Sequence, residues 1–214
     1  MKLYDYVASA NCFKVRLLLA QLELPYERVP LDIFAGDTLT AEYAAINPQR
    51  STPVLELDDG RRLVESNAIL FYIAQGTEFL PDDTFERAEI VRWLIFEQLD
   101  VMSTMGGLRF RLETGRLSPD DTDAVRRRAG ADEALALLDA HLSEHDFLVG
   151  DRYTIADIAN YAYSHVADGA GIDLSRWPVV VAWHRRIEAT PRFMNDLVPY
   201  PPNARVGAGR SVYT

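Results

Sequence analysis

The sequence lacks the features that would send a chain out of the cell or into a membrane. It holds one cysteine, Cys12, so no internal disulfide can form, which fits a reducing compartment. No apolar run approaches the roughly 20 residues that cross a bilayer, and no Asn-x-Ser/Thr acceptor occurs. The opening MKLYDYVASA is a short strand pattern broken by Asp5, not the charged-then-apolar layout of a signal peptide. A cytoplasmic protein with no membrane partner is expected. Positive charge is also scarce: the net charge is −10, which repels a phosphate backbone. The densest basic run, Arg126-Arg127-Arg128, is flanked by Asp120, Asp121, Asp123, Asp132 and Glu133 and reads as a solvated helix face. Nucleic acid is not expected as a partner. There is no phosphate-binding glycine-rich loop, nucleophile elbow or cysteine pair. His141, Glu144 and His145 have zinc-peptidase spacing, but they end an ordinary amphipathic helix and lack a third ligand, so no metal is expected.

What remains is a globular pattern, with 48% hydrophobic and 25% charged residues over a length that suits one large domain or two small ones. Residues 1–79 alternate between strand and helix signals. LYDYV is a strand, and Val15, Leu18, Leu19 and Leu22 repeat at helical spacing until Pro25. Tyr26–Val29 is a second strand, 38–45 a short helix, and TPVLELDDGRRLV a hairpin around Asp59-Gly60. A helix follows from about Ser66, with Ile69, Tyr72 and Ile73 on one face. The order β-α-β-α-β-β-α predicts an α/β unit with a small mixed sheet over residues 1–80.

Leu80–Thr84 reads as a linker, and from Phe85 the pattern is helical. Ile90, Val91, Leu94 and Ile95 predict a broad buried stripe; Ala131, Leu135, Leu138 and Leu142 a narrower one; Val180, Trp183 and Ile187 a third. Thr154 and Asp157 have capping-box spacing. An all-α unit is expected over 85–214, with a Pro/Gly coil tail from about 198.

Three short segments carry possible chemistry. Thr52-Pro53 precedes a strand; a cis peptide there turns a backbone amide and carbonyl outward for an extended ligand, while a trans proline would merely open an edge strand. Glu65-Ser66 lies where a strand gives way to a helix, whose free N–H groups bind carboxylates; Glu65 adds a charge for an ammonium. The alternative is N-capping by Ser66. Ser9-Ala10-Asn11-Cys12 lies between the first strand and first helix, where ligands of α/β folds bind, although Ser9 or Asn11 could equally cap that helix.

Taken in order, SANCFKVRLLLAQLELPYE, NPQRSTPVLEL, DDGRRLVESNAILFYIA, RWLIFEQLDV and FLVGDRYTIADIANYAY resemble the recurrent segments of bacterial cytosolic glutathione transferases, of a serine-type, theta- or delta-like kind. The resemblance reaches to about Phe193. It implies a thioredoxin-like domain followed by an all-helical domain, with glutathione as cosubstrate, no permanently bound cofactor, a small electrophile as second substrate and a homodimer. Ser9 resembles the catalytic serine, with Asn11 and Cys12 as runners-up. Thr52 and Pro53 resemble the cysteinyl-binding pair, Glu65 and Ser66 the γ-glutamyl clamp, and Arg50 a glycine-carboxylate contact. Arg50 and Ser51 depart from the usual Gly then Lys or Gln, which leaves Ser51 as a shortened member of the glutathione-binding set. The stretch LDVMSTMGGLRF departs too, where Met102, Met105, Arg109 and Phe110 suggest an adaptable acceptor pocket or core packing.

A hydroxyl at Ser9 is sufficient in magnitude for thiol activation. Lowering a thiol pKa by roughly two units takes about 2.7 kcal/mol; one hydrogen bond to a charged group supplies about 1.5–3 kcal/mol and a helix N-terminus about 0.3–1 kcal/mol. Rival expectations are a glutathione-dependent peroxidase, a thiol–disulfide oxidoreductase working through Cys12, and a non-catalytic dimeric binding protein.

Overall fold

The computed structural model describes residues 1–213, which divide into two compact units: Met1–Ile73 together with the tail from Met194, and Ala74–Phe193. In the first unit the chain runs β1 (Lys2–Asp5), α1 (Ala10–Gln21), β2 (Glu27–Pro30), a 3-10 turn (Asp37–Leu39), α2 (Ala41–Ile46), β3 (Val54–Glu56), β4 (Arg62–Val64) and α3 (Ser66–Ile73). The sheet order is β2-β1-β3-β4, with β1 and β2 parallel and the other pairs antiparallel. The helix between β1 and β2 supplies the crossover that a parallel pair needs, and Leu3 opposite Leu55 puts the core at the sheet's centre. The expected β-α-β-α-β-β-α order and thioredoxin-like architecture are present.

Helix α1 differs from its sequence pattern. It has no solvent face along most of its length: Cys12 through Leu19 are all buried, Lys14 and Arg16 among them. Arg16 is tolerated because its guanidinium donates to Asp5 (2.5 Å), Asp196 and the Val7 carbonyl, and Arg28 also pairs with Asp5. In α3, Ile69, Leu70 and Ile73 are buried while Tyr72 is exposed, so Leu70 replaces Tyr72 on the inner face.

The second unit contains α4 (Thr84–Phe96), a π-helical stretch (Glu97–Gly106), α5 (Gly107–Glu113), α6 (Thr122–Leu142), α7 (Ile155–Ser164) and α8 (Pro178–Glu188). Every residue of α7 is buried, and α4, the π-helical stretch and α8 pack around it. The α6 and α8 stripes are buried as expected. The α4 stripe is only half right: Ile90 and Leu94 are buried, but Val91 and Ile95 are exposed.

Thr154 and Asp157 form the capping box, with the Asp157 carboxylate accepting from the amides of Thr154 (2.9 Å) and Leu148 (3.0 Å), the Thr154 hydroxyl (3.2 Å) and the Trp183 indole (3.0 Å). Burial pushes this carboxyl up to about 6 despite those four donors.

The expected boundaries shift at both ends. Residues 74–83 belong with the helical unit, where the Phe79 carbonyl accepts the Ile155 amide (3.1 Å) and the Phe79 ring packs edge-on against Tyr153. The tail, expected with the helical domain, groups with the first unit through Arg16–Asp196, Asn203–Asp32 and the Arg210 amide on the Phe34 carbonyl. No helix among the described residues is long and apolar enough to cross a membrane.

Candidate active site

At the carboxyl end of β1, the chain turns into α1 through Ser9, which is the N-cap. Its Oγ accepts the Cys12 amide at 3.3 Å, satisfying one of the free donors of the first turn. A serine oxygen that accepts in this way still has its own O–H to donate. Cys12, one turn in, is fully buried, and its Sγ accepts the Tyr6 amide at 3.4 Å. Burial and the Asp5 carboxylate push the Cys12 thiol up to about 12, against the opposing Thr52 side chain. A thiol in that state is almost wholly protonated at neutral pH and inert as a nucleophile.

The peptide between Thr52 and Pro53 is cis. Just before it, Ser51 is braced from two sides: its carbonyl accepts the Tyr43 hydroxyl (2.7 Å) and the Asn47 side-chain amide (2.9 Å), and its Oγ accepts Asn47 as well (3.1 Å). Arg50 has a positive φ of 58° and directs Nη1 to the carbonyls of Thr38 (3.2 Å) and Thr40 (3.5 Å).

Glu65 is also left-handed, at φ 69°, and its carbonyl accepts the Ile69 amide at the start of α3. Left-handed backbone in a residue with a Cβ costs about 1–2 kcal/mol, and such residues gather where a ligand is held. Ser66 does not cap α3. It is the first helical residue, and its hydroxyl donates to Asn11 Oδ1 (3.1 Å) and lies 3.5 Å from Lys14 Nζ, which also reaches Asn67 Oδ1 (3.3 Å). This network ties the start of α1 to the start of α3. It brings Ser9, Asn11, Glu65 and Ser66 into one neighbourhood, to which the Thr52 side chain is linked through Cys12.

Residues 1–75 match the family model for the glutathione S-transferase N-terminal domain, and residues 100–191 that for its C-terminal domain. Over 217 residues the chain is 33% identical to glutathione S-transferase 3 of Zea mays, covering 94% of this chain and 96% of that one. The chain belongs to the glutathione S-transferase family. It is also 30% identical over 193 residues to the disulfide-bond oxidoreductase YfcG of Escherichia coli, with 87% of this chain and 89% of the relative covered. The solved glutathione S-transferase of Pseudomonas fluorescens is 41% identical, with a TM-score of 0.88 over 92% of this chain and 98% of that one.

Of the residues expected at this family member's acceptor pocket, Met105 is fully enclosed, which follows the core-packing alternative. Arg109 is 7% exposed, with Nε on Glu113 Oε1 at 2.9 Å. Met102 and Phe110 are partly open, and Arg116 lies 4.8 Å over the Phe110 ring. The His141 and His145 rings lie 4.7 Å apart, tilted by 30°, and hydrogen-bond to the Leu148 carbonyl and Asp151 respectively. Sequence reasoning missed Lys14, Tyr43 and Asn47. Only the pair Asn47-Pro48 hinted at a turn; nothing in the periodicity marks Lys14 as buried.

Proposed function

We propose that this family member is a glutathione transferase that activates the glutathione thiol for attack on small hydrophobic electrophiles. The observation that carries the reading is the Ser9 hydroxyl at the N-cap of α1, half-buried at the helix start, whose oxygen accepts the Cys12 amide and which carries an O–H donor of its own. A hydrogen bond from that hydroxyl to a thiolate, worth about 1.5–3 kcal/mol, and the helix end beside it, about 0.3–1 kcal/mol, together match the cost of ionising the thiol near neutral pH. Thr52 and Pro53 take the cysteinyl backbone, Glu65 the ammonium, the α3 N-terminus at Ser66 the γ-glutamyl carboxylate, and Arg50 the glycine carboxylate. Ser51 supports this set through Asn47 and Tyr43 rather than by touching the ligand. Met102 and Phe110 are the candidates to touch the acceptor. The thiolate displaces the leaving group of the electrophile, or adds to its double bond, and proximity supplies the rest of the acceleration.

The assembly is a homodimer, acting in the cytoplasm without a resident cofactor. Val91, Ile95 and Leu99, exposed at four-residue spacing, support the dimer.

Calorimetry with glutathione tests the reading: no heat up to several millimolar ligand would overturn it. Glu65→Ala is expected to weaken binding by about ten-fold or more, and Ser51→Ala by less than about three-fold; equal effects would break the clamp assignment.

A second reading, disulfide reduction by bound glutathione, is favoured by Asn11. The Ser66 hydroxyl fixes Asn11 Oδ1, which leaves the Asn11 amide N–H groups as further donors at the same helix start. It is tested by comparing disulfide reduction in Asn11→Ala and Ser9→Ala. Loss in the first alone supports it, and loss in the second alone returns the thiolate to Ser9.

A further inference from the structure

The tail after α8 is the part of the first unit that the reading above leaves without a role. Its packing is specific. Asp196 is forked onto Arg16, Asn203 Nδ2 donates to Asp32 Oδ2 at 2.8 Å, and the Arg210 amide donates to the Phe34 carbonyl at 2.8 Å. Ala204 and Ser211 are buried. At Gly209 a Cβ would meet the Asn203 carbonyl at 2.3 Å and the Phe34 carbonyl at 2.6 Å, so only glycine lets the two backbones approach this closely.

The segment gripped in this way is the loop that leads into Thr38 and Thr40, whose carbonyls hold Arg50. Three residues beyond Arg210, the Tyr213 phenol is within electrostatic reach of Cys12 and Tyr43. Cys12 is the residue whose amide Ser9 caps, and Tyr43 is the one whose hydroxyl braces Ser51. Three residues span at most about 10 Å. Arg210 also lies against Gly36, its carbonyl 3.8 Å from where a Cβ would stand there, so the stretch of tail that ends in Tyr213 borders the loop whose Thr38 and Thr40 carbonyls hold Arg50. The Tyr6 hydroxyl, Thr38 Oγ1 and Asn203 Oδ1 are buried and without a hydrogen-bond partner, and they come from the end of β1, the gripped loop and the tail. Buried orphan polar groups call for a partner such as a ligand or water.

We propose that Asn203–Tyr213 is a strap over the glycyl end of the thiol-peptide site, and that it restricts the protein to thiol tripeptides whose glycine is the last residue. This rests on the reading of the site as one for glutathione. A peptide longer by one residue carries its terminal carboxylate about 3.5 Å further, past Arg50 and into the strap. The strap therefore selects on length, whereas Arg50 selects on charge.

The test uses the full-length protein and two ligands that both end in a carboxylate: glutathione and γ-glutamyl-cysteinyl-glycyl-glycine. By calorimetry the native protein is expected to bind the longer peptide about ten-fold or more weakly. Gly209→Val, which forces the strap off Phe34, is expected to narrow that gap to about two-fold. Tyr213→Ala removes the ring without lifting the strap, should narrow the gap part-way, and carries the test should the valine variant not fold. Val198→Ser, at an exposed tail position before the strap, should leave the ratio unchanged. An unchanged ratio in Gly209→Val and Tyr213→Ala, or equal binding of both peptides by the native protein, overturns the strap and leaves the glutathione site standing. Binding of neither peptide removes both.

Discussion

Arg16 and Asp196, separated by 180 residues in the chain, are joined by a forked ion pair: Nε lies 2.8 Å from Oδ2 and Nη2 2.8 Å from Oδ1. The same guanidinium holds the fully buried Asp5, so the two acids are not equivalent. Asp196→Ala leaves Arg16 with a partner and should cost about 1–2 kcal/mol, in the range of one charge-assisted bond. Arg16→Met leaves the buried Asp5 with only the partly exposed Arg28 and removes the partner of Asp196 as well, so it should cost more, about 3 kcal/mol. Denaturant unfolding of both variants checks the order; a costlier Asp196→Ala would contradict it.

Ser9 and Cys12 should separate cleanly in kinetics. Ser9→Ala is expected to raise the pKa of bound glutathione and cut turnover by about ten-fold or more, since each 1.36 kcal/mol is a factor of about ten. Cys12→Ser is expected to keep turnover and lose about 1–3 kcal/mol of stability, because a hydroxyl replaces a thiol in a dry place. Thiolate absorbance titrated beside the rate distinguishes the two. Abolished turnover in Cys12→Ser alone would give the chemistry to the cysteine.

Asp157 sets a pH dependence of known sign. Its folded-state value, about 6, lies above the usual carboxylate value of about 3.9, so the folded state holds this proton more tightly. The proton's contribution to stability is complete below about pH 4 and is lost as pH rises through about 6, a change of about 3 kcal/mol. Asp157→Asn has no such titration. The stability of the native protein relative to Asp157→Asn should therefore improve on going from pH 7 to pH 4.5. A flat or opposite difference would place the ordinary charged state in the capping box.

Val91, Ile95 and Leu99 give the dimer proposal a handle. The double substitution Ile95→Glu and Leu99→Glu places charge on an exposed apolar row and should yield a monomer at micromolar concentration by sedimentation velocity. A native protein that already sediments as a monomer sinks the proposal.

The sequence was readable where the signal is local. Asp59-Gly60 announced the hairpin, Thr154 and Asp157 the capping box, and Leu135 and Leu138 an inner face, because turn chemistry, caps and helical period depend on neighbours a few residues away. Readings failed where the partner is distant. Lys14 and Arg16 fall at positions that period alone assigns to solvent, yet they are buried against Ser66, Asn67, Asp5 and Asp196. Of the site, the segments were legible but not the wiring. Ser66 reads as a cap in isolation, and only the fold turns its hydroxyl to Asn11. A polar coil such as the tail carries no period at all, so its grip on Asp32 and Phe34 had no trace in the pattern.

Because the first unit is made of Met1–Ile73 and the stretch from Met194, the helical unit is an insertion within it. During synthesis at about 5–20 residues per second, β1 to α3 emerge first and must wait several seconds or more for Asp196. Throughout that interval the nascent sheet holds Arg16 through Asp5 and the Val7 carbonyl alone, and the whole helical unit can be translated and packed before the older half is finished. The stretch that completes the first unit is made only after the whole of the second.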